Sequence, residues 1–409
     1  MSRTPLKETA TGGREASTRH IPPKLALAVG RPSSAAPRGW EWSELTKLAR
    51  LESGHTPSRN HPEYWGGEIP WIGIKDARAH HGGVIDDTEQ KTNELGILNS
   101  SARVLPANTV CLSRTASVGY VVVMGRPMAT SQDFVNWVCS ERLDPNFLKY
   151  LFIAEDEDLL RFASGSVHQS IYFPEAKAFH ICHPPLPEQQ RIVGILDEAF
   201  EGIATAKANA EKNLQNARAL FESHLQSVFT QRGEGWVEKP LVELCIVDWG
   251  NTDLTKSSYV DGGKFLAVSA AGCDGRIGHM EHAKHTPVLS AIGAKCGRMF
   301  LPDEDFTAIK NTITLTPRDG ACTGKFLYRL LTHVDLPKRG AAQPFISKGD
   351  IQAFRVVVPE SLTVQQQVEE SLAELEIETQ RLATLYTRKL AALEALKKSL
   401  LDQAFSGNL

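Results

Sequence analysis

Long apolar runs are missing from this sequence: no stretch of 18 or more apolar residues occurs in its 409 positions, so no membrane-spanning helix is expected. The start, MSRTPLKETATGG, also lacks the apolar segment of a secretory signal, and the expected location is the cytoplasm. Paired cysteines are absent. Seven cysteines lie scattered at 111, 139, 182, 245, 273, 296 and 322 without a CxxC, which fits reduced thiols rather than a disulfide framework. An excess of positive charge is lacking too, since 45 Lys and Arg stand against 48 Asp and Glu. Any surface that meets phosphate must therefore gather its cations locally or borrow them from a partner.

Enzyme signatures are equally thin. A Gly-rich cofactor turn and an Asn/Asp-Pro-Pro-aromatic loop are both wanting, which excludes a DNA methyltransferase active site in this chain. The stretch GACTGKF, Gly320 to Phe326, is one residue short of a phosphate-binding loop and ends in Phe where a hydroxyl would have to meet magnesium. Asp76, Glu89 and Lys91 are too loosely spaced to suggest a nuclease, and His279, His282 and His285, with Cys273 upstream, read as surface histidines rather than a zinc site. His180, Cys182 and His183 read as strand packing. No catalytic residue, cofactor or metal is expected.

What the chain does have is repetition. Leu186 to Thr230 returns without a gap at Leu362 to Ser406, with 11 of 45 positions identical, among them Gln189/Gln365, Gln190/Gln366, Leu196/Leu372, Leu220/Leu396, Leu225/Leu401 and Phe229/Phe405. In both copies apolar residues step by three and four, so each is a long helix of roughly 65 Å with a coiled-coil seam. The first seam holds Ile192, Leu196, Ala199, Ala206, Ala210, Ala217 and Leu220. The second holds Leu372, Leu375, Leu382, Tyr386, Leu393, Leu396 and Leu400. Small residues in one copy complement large ones in the other, so the two helices are expected to pair within one chain. Packing admits both directions; duplication favours an antiparallel pair about a pseudo-twofold axis, with Ile192 opposite Leu400.

The segments before the helices also repeat. Gly39-Trp40 matches Gly235-Trp236, Gly54 matches Gly250, Thr56 matches Thr252, and Gly66-Gly67 matches Gly262-Gly263, all at an offset of 196. Farther on the offset is 178, where Gly119 meets Gly297 and DFVNWVC meets NTITLTP. Short β-branched and aromatic runs broken by Gly and Pro, with a few helical patches, predict α+β heads with curved sheets. The plan is a flexible, mildly cationic extension over 1–38, a head over 39–185, a helix over 186–232, a second head over 233–361 and a second helix over 362–409. Two similar heads on a rigid rod suit a ligand with two separated sites, such as duplex DNA.

Four stretches carry a family resemblance: GHTPSRNHPEYWGGEIPWI (Gly54 to Ile72), LSRTASVGY (Leu112 to Tyr120), the GSVHQSI loop (Gly165 to Ile171) with its counterpart GAAQPFI (Gly340 to Ile346), and PPLPEQQRIV (Pro184 to Val193). Over residues 39 to 409 the chain resembles the specificity subunit of type I restriction-modification systems. That resemblance implies two target recognition domains, each reading half of a split duplex target, and two helices that set the spacer and dock methyltransferase subunits. Two of these are expected, with restriction and translocation subunits reached through the complex. The second head departs from the pattern, carrying Thr252-Asp253-Leu254 for Thr56-Pro57-Ser58 and PESLTVQQ for PPLPEQQ. The competing hypothesis is a coiled-coil scaffold whose heads bind protein.

Residues 40–185 hold 13 basic and 18 acidic residues and residues 236–361 hold 15 and 14, so contact with DNA must rest on small clusters and on side chains with paired donors and acceptors. In the first head the candidates are Thr56, Ser58, Arg59, Lys75, Arg78, Arg114, Ser131, Gln132 and Gln169. In the second they are Lys256, Lys295, Lys310 and Gln343.

Overall fold

A computed structural model describes residues 27–30, 36–115, 117–164, 169–230 and 234–409. The chain forms two compact units, one of Met1–Ala208 with Leu390–Leu409 and one of Asn209–Lys389. Each holds a head and one stretch of each long helix.

In the first unit a five-stranded sheet runs in the order Ala49–Ser53, Phe134–Cys139, Thr109–Ser113, Val121–Met124, Val84–Ile85. In the second unit Cys245–Trp249, Thr312–Pro317, Val288–Ser290 and Met299–Phe300 follow the same order, so the repeat seen in the sequence is a repeat of strand topology. Both sheets put β-branched and aromatic residues on buried faces, as half-buried strands require. Trp137, Phe147, Phe152 and Phe179 fill the first core, and Phe326, Leu327, Ile313 and Leu315 sit in the second.

The extension expected over 1–38 contains a structured piece. Leu27–Val29 is a strand that pairs in parallel with Phe179–His183, Val29 against Ile181, and Val29 is fully buried in the first core. The signal was the apolar run Leu25 to Val29, which the composition of the whole tail masked. Residues 1–26 and 31–35 lie outside the described residues.

The long helices are Leu186–Thr230 and Leu362–Phe405. No described helix is long and apolar enough to cross a membrane. Within the first unit the two helices pair antiparallel, with Lys397 Nζ 5.2 Å from the Phe200 ring and Lys207 2.6 Å from Glu394. The expected register, Ile192 opposite Leu400, would have put Phe200 beside Ala392, so the observed pairing is displaced by more than a helical turn.

The seam needs a second correction. Ile192, Leu196, Ala210, Ala217 and Leu372 are buried, and Ala199, Ala206, Leu375, Tyr386, Leu393 and Leu400 are half-buried. Leu220, Leu382 and Leu396, however, are 51%, 37% and 47% exposed and lie off the seam. Two consecutive steps of four, Ala206–Ala210–Leu214 and Leu375–Thr379–Ala383, interrupt the alternation of three and four. Such a stutter rotates the buried stripe, so Phe221, Ala383 and Lys397 take the places expected for the leucines. Thr379 is buried in the stutter, its hydroxyl donating to the Leu375 carbonyl at 2.8 Å.

Each helix is tied to its head by a repeated glutamine. Gln189 is fully buried, its Nε2 donating to the carbonyls of Arg142 and Pro184 and its Oε1 accepting from the Asp144 amide at 2.9 Å. Gln365 is equally buried and donates to the carbonyls of Ala321 and Pro359.

Candidate nucleic-acid interface

In the first head the loop after strand Ala49–Ser53 is laid against the start of Phe134–Cys139. The Gly54 amide donates to the Phe134 carbonyl and the His55 amide to the Thr130 carbonyl at 2.9 Å. Contact is so close that a Cβ at Gly54 would fall 1.9 Å from the Ser131 carbonyl oxygen. This seats Thr56 beside Gln132, whose Oε1 accepts the Thr56 hydroxyl. Pro57 is buried, and Ser58 and Arg59 follow on the exposed side.

Arg59 lies on an aromatic platform. Its guanidinium carbon is 4.0 Å from the Trp65 ring centroid and 5.1 Å from that of Trp71, and the two indoles meet edge to face. Both indoles are pinned to the loop, Trp65 Nε1 donating to the Ser58 carbonyl and Trp71 Nε1 to the His55 carbonyl. Arg59 Nη2 also donates to Gln90 Oε1 at 2.7 Å. Lys75 and Glu89 border this patch as a loose ion pair at 4.0 Å, and Asp76 accepts from the Glu89 amide.

The second head repeats the backbone and changes the side chains. The Gly250 amide donates to the Thr312 carbonyl and the Asn251 amide to the Ala308 carbonyl at 2.8 Å, the same two bonds as Gly54 and His55 make. By this alignment Lys310, whose amide donates to the Leu254 carbonyl, occupies the station of Gln132. The family model of the type I restriction modification DNA specificity domain matches residues 37–215 and 233–387, and each matched stretch holds one of these loop-and-strand stations.

The chain belongs to that family.

The two matched stretches together take in most of the chain and both long helices in part. The chain is 28% identical over 248 residues to the specificity subunit of the MjaIX type I restriction enzyme of Methanocaldococcus jannaschii, a match over 57% of either chain, so it spans a little over half of that relative. It is 24% identical over 343 residues to the EcoprrI specificity subunit of Escherichia coli, covering 78% of this chain and 83% of the relative. The crystal structure of the HsdS subunit from Thermoanaerobacter tengcongensis superposes with a TM-score of 0.64 over 93% of this chain and all of that one, at 19% identity. A chain from a structure of type I R-M complex assembly and conformational transition superposes with a TM-score of 0.71 over 92% of this chain and all of that one, also at 19%. These likenesses show the fold.

Not every candidate side chain stands free. Ser131 is 2% exposed and its hydroxyl is engaged with Asp133 at 3.0 Å, so it shapes the loop rather than facing outward. Arg114 is half-buried, and desolvation holds its guanidinium below the usual arginine value, opposed by the charge of Asp133. Lys256 pairs with Asp274 at 2.6 Å, and Lys295 donates to the Ala271 carbonyl. Burial pushes the Asp274 carboxyl upward, but hydrogen bonds from Lys256, Tyr259 and Ser269 outweigh it and keep the group below the ordinary carboxylate value. Arg78, Lys310, Gln169 and Gln343 are exposed. Gln343 tips a loop closed by the paired backbones of Arg339 and Phe345, while most of the GSVHQSI loop beside Gln169 lies outside the described residues. The first head thus joins Thr56 to Gln132 and Arg59 to Gln90, whose chain neighbour Glu89 pairs loosely with Lys75. Gln90 was missed because it stands 31 positions from Arg59 in a segment without motif character.

Proposed function

We propose that this chain is the sequence reader of a type I restriction-modification enzyme, each head reading one block of a split duplex target and the paired helices fixing the separation of the blocks. The observation that carries this reading is the loop-and-strand station present twice: the same backbone bonds at Gly54–His55 and Gly250–Asn251 present Gln132 in one head and Lys310 in the other. A repeated frame with exchanged polar side chains is what two different recognition letters require. The organisation that goes with it is an N-terminal extension over 1–38, recognition domains over 39–185 and 233–361, and spacer helices over 186–232 and 362–409. Two methyltransferase subunits would dock along the helices and supply methyl transfer, restriction subunits would join through them, and the site of action is the cytoplasm.

The test is selection from a random duplex pool by the full chain co-expressed with the neighbouring methyltransferase subunit. Two short specified blocks at a fixed separation bear the reading out. No enrichment would move the chain to the scaffold hypothesis, with the heads binding protein.

A further inference from the structure

Resting on that reading, the geometry points to Arg59 as the reader of a guanine in the block specified by the first head. Three observations converge on it. Arg59 is exposed yet held: its guanidinium lies against Trp65 at 4.0 Å and near Trp71 at 5.1 Å, and Gln90 takes one of its N–H groups at 2.7 Å. A guanidinium stacked in this way has given up most of its rotamer freedom before any ligand arrives, so little ordering cost is left for binding.

The remaining donors define the letter. Of the five guanidinium N–H groups, Gln90 uses one, and the others stay available as a fork. Gln90 spends its carbonyl on Arg59, and Gln132 spends its carbonyl on the Thr56 hydroxyl, so both amides have NH2 groups left to offer. The patch presents donors. In the major groove guanine alone offers two adjacent acceptors, O6 and N7, whereas adenine and cytosine each place an amino donor where the fork would meet it.

The second head does not repeat this device at the matching station; its exposed Arg298 lies 5.6 Å from the Phe300 ring elsewhere in the head. At the repeat offset the residues matching Arg59, Trp65 and Trp71 are Thr255, Asp261 and Ala267, which can neither fork nor stack. Its block therefore serves as an internal control on folding and on the rod.

The experiment is pool selection by the full chain with its co-expressed methyltransferase subunit, comparing wild type with Arg59→Lys and Arg59→Gln. Arg59→Lys keeps the charge but loses the fork, and one guanine in one block should lose roughly tenfold to a hundredfold in discrimination while the other block is unchanged. Arg59→Gln should move the same position from guanine toward adenine, since a glutamine amide pairs with adenine N6 and N7. Unchanged letters in both variants would overturn the assignment. Loss of both blocks in both variants would also overturn it, because Arg59 would then serve the fold rather than one letter. Wild type enriching no block at all would remove the underlying reading, a failure distinct from either.

Discussion

A single missing methyl group lets the loop at Gly54 and its counterpart at Gly250 lie on their sheets. At Gly54 a Cβ would fall 1.9 Å from the Ser131 carbonyl oxygen, and at Gly250 it would fall 2.6 Å from the Ile309 carbonyl oxygen. Backbone is not a neighbour that can swing aside. Gly54→Ala and Gly250→Ala are therefore expected to lose about 1–3 kcal/mol of stability in urea unfolding. A Gly54→Ala variant as stable as wild type would mean the loop has a second seat. His282 supplies a different prediction at this scale. Its ring packs 5.1 Å from Phe306, and desolvation depresses its affinity for a proton despite the attraction of Glu281 and Asp248. As pH falls below the ordinary histidine value of about 6.5, the unfolded chain takes up a proton that the folded chain refuses, so stability drops on the acid side. Above that value the histidine contributes no slope. Melting temperatures between pH 5 and 7.5 should fall more steeply on the acid side for wild type than for His282→Gln; equal slopes would rule this histidine out as the cause.

The two long helices were legible as elements because a repeat of 45 positions with steps of three and four has few other readings. Their exact seam was not. A stutter moves the buried stripe by a fraction of a turn, and a leucine beside the stripe looks in sequence like one within it. The consequence can be measured. Leu196 is fully buried and Leu372 nearly so, and replacing either by Ala is expected to cost about 2–5 kcal/mol. Leu220→Ala and Leu396→Ala, at 51% and 47% exposure, should stay within about 0.5 kcal/mol of wild type. A large loss at Leu220 would restore the seam that regular heptads imply. The glutamine pair shows the same limit. Gln189 and Gln365 stood out as identical in both copies, but only the fold reveals that each is buried beneath its head and holds the carbonyls at the end of the preceding strand. In the first head the GHTPSR loop was legible as a turn with polar side chains. Its partner Gln90 and its platform of Trp65 and Trp71 depend on long-range pairing that no local pattern encodes.

At the scale of the molecule the duplicated head and duplicated helix make one prediction that neither has alone. If the rod sets the separation of the two blocks, lengthening it must change the preferred spacer while leaving the letters alone. Inserting one heptad into each helix, at facing positions between the stutter and the first head, keeps the seam in phase and adds about 10.5 Å to the rod. Duplex DNA advances about 3.4 Å per base pair, so the preferred spacer should grow by at most about three base pairs. Inserting the heptad in one helix alone has no such outcome, because it puts the partner seam out of step and exposes Leu196 or Leu372 to water. Pool selection reads both variants directly. A longer spacer with unchanged blocks in the double insertion, and loss of paired blocks in the single one, are the expected results. An unchanged spacer in the double insertion would mean that contacts outside the rod fix the distance instead.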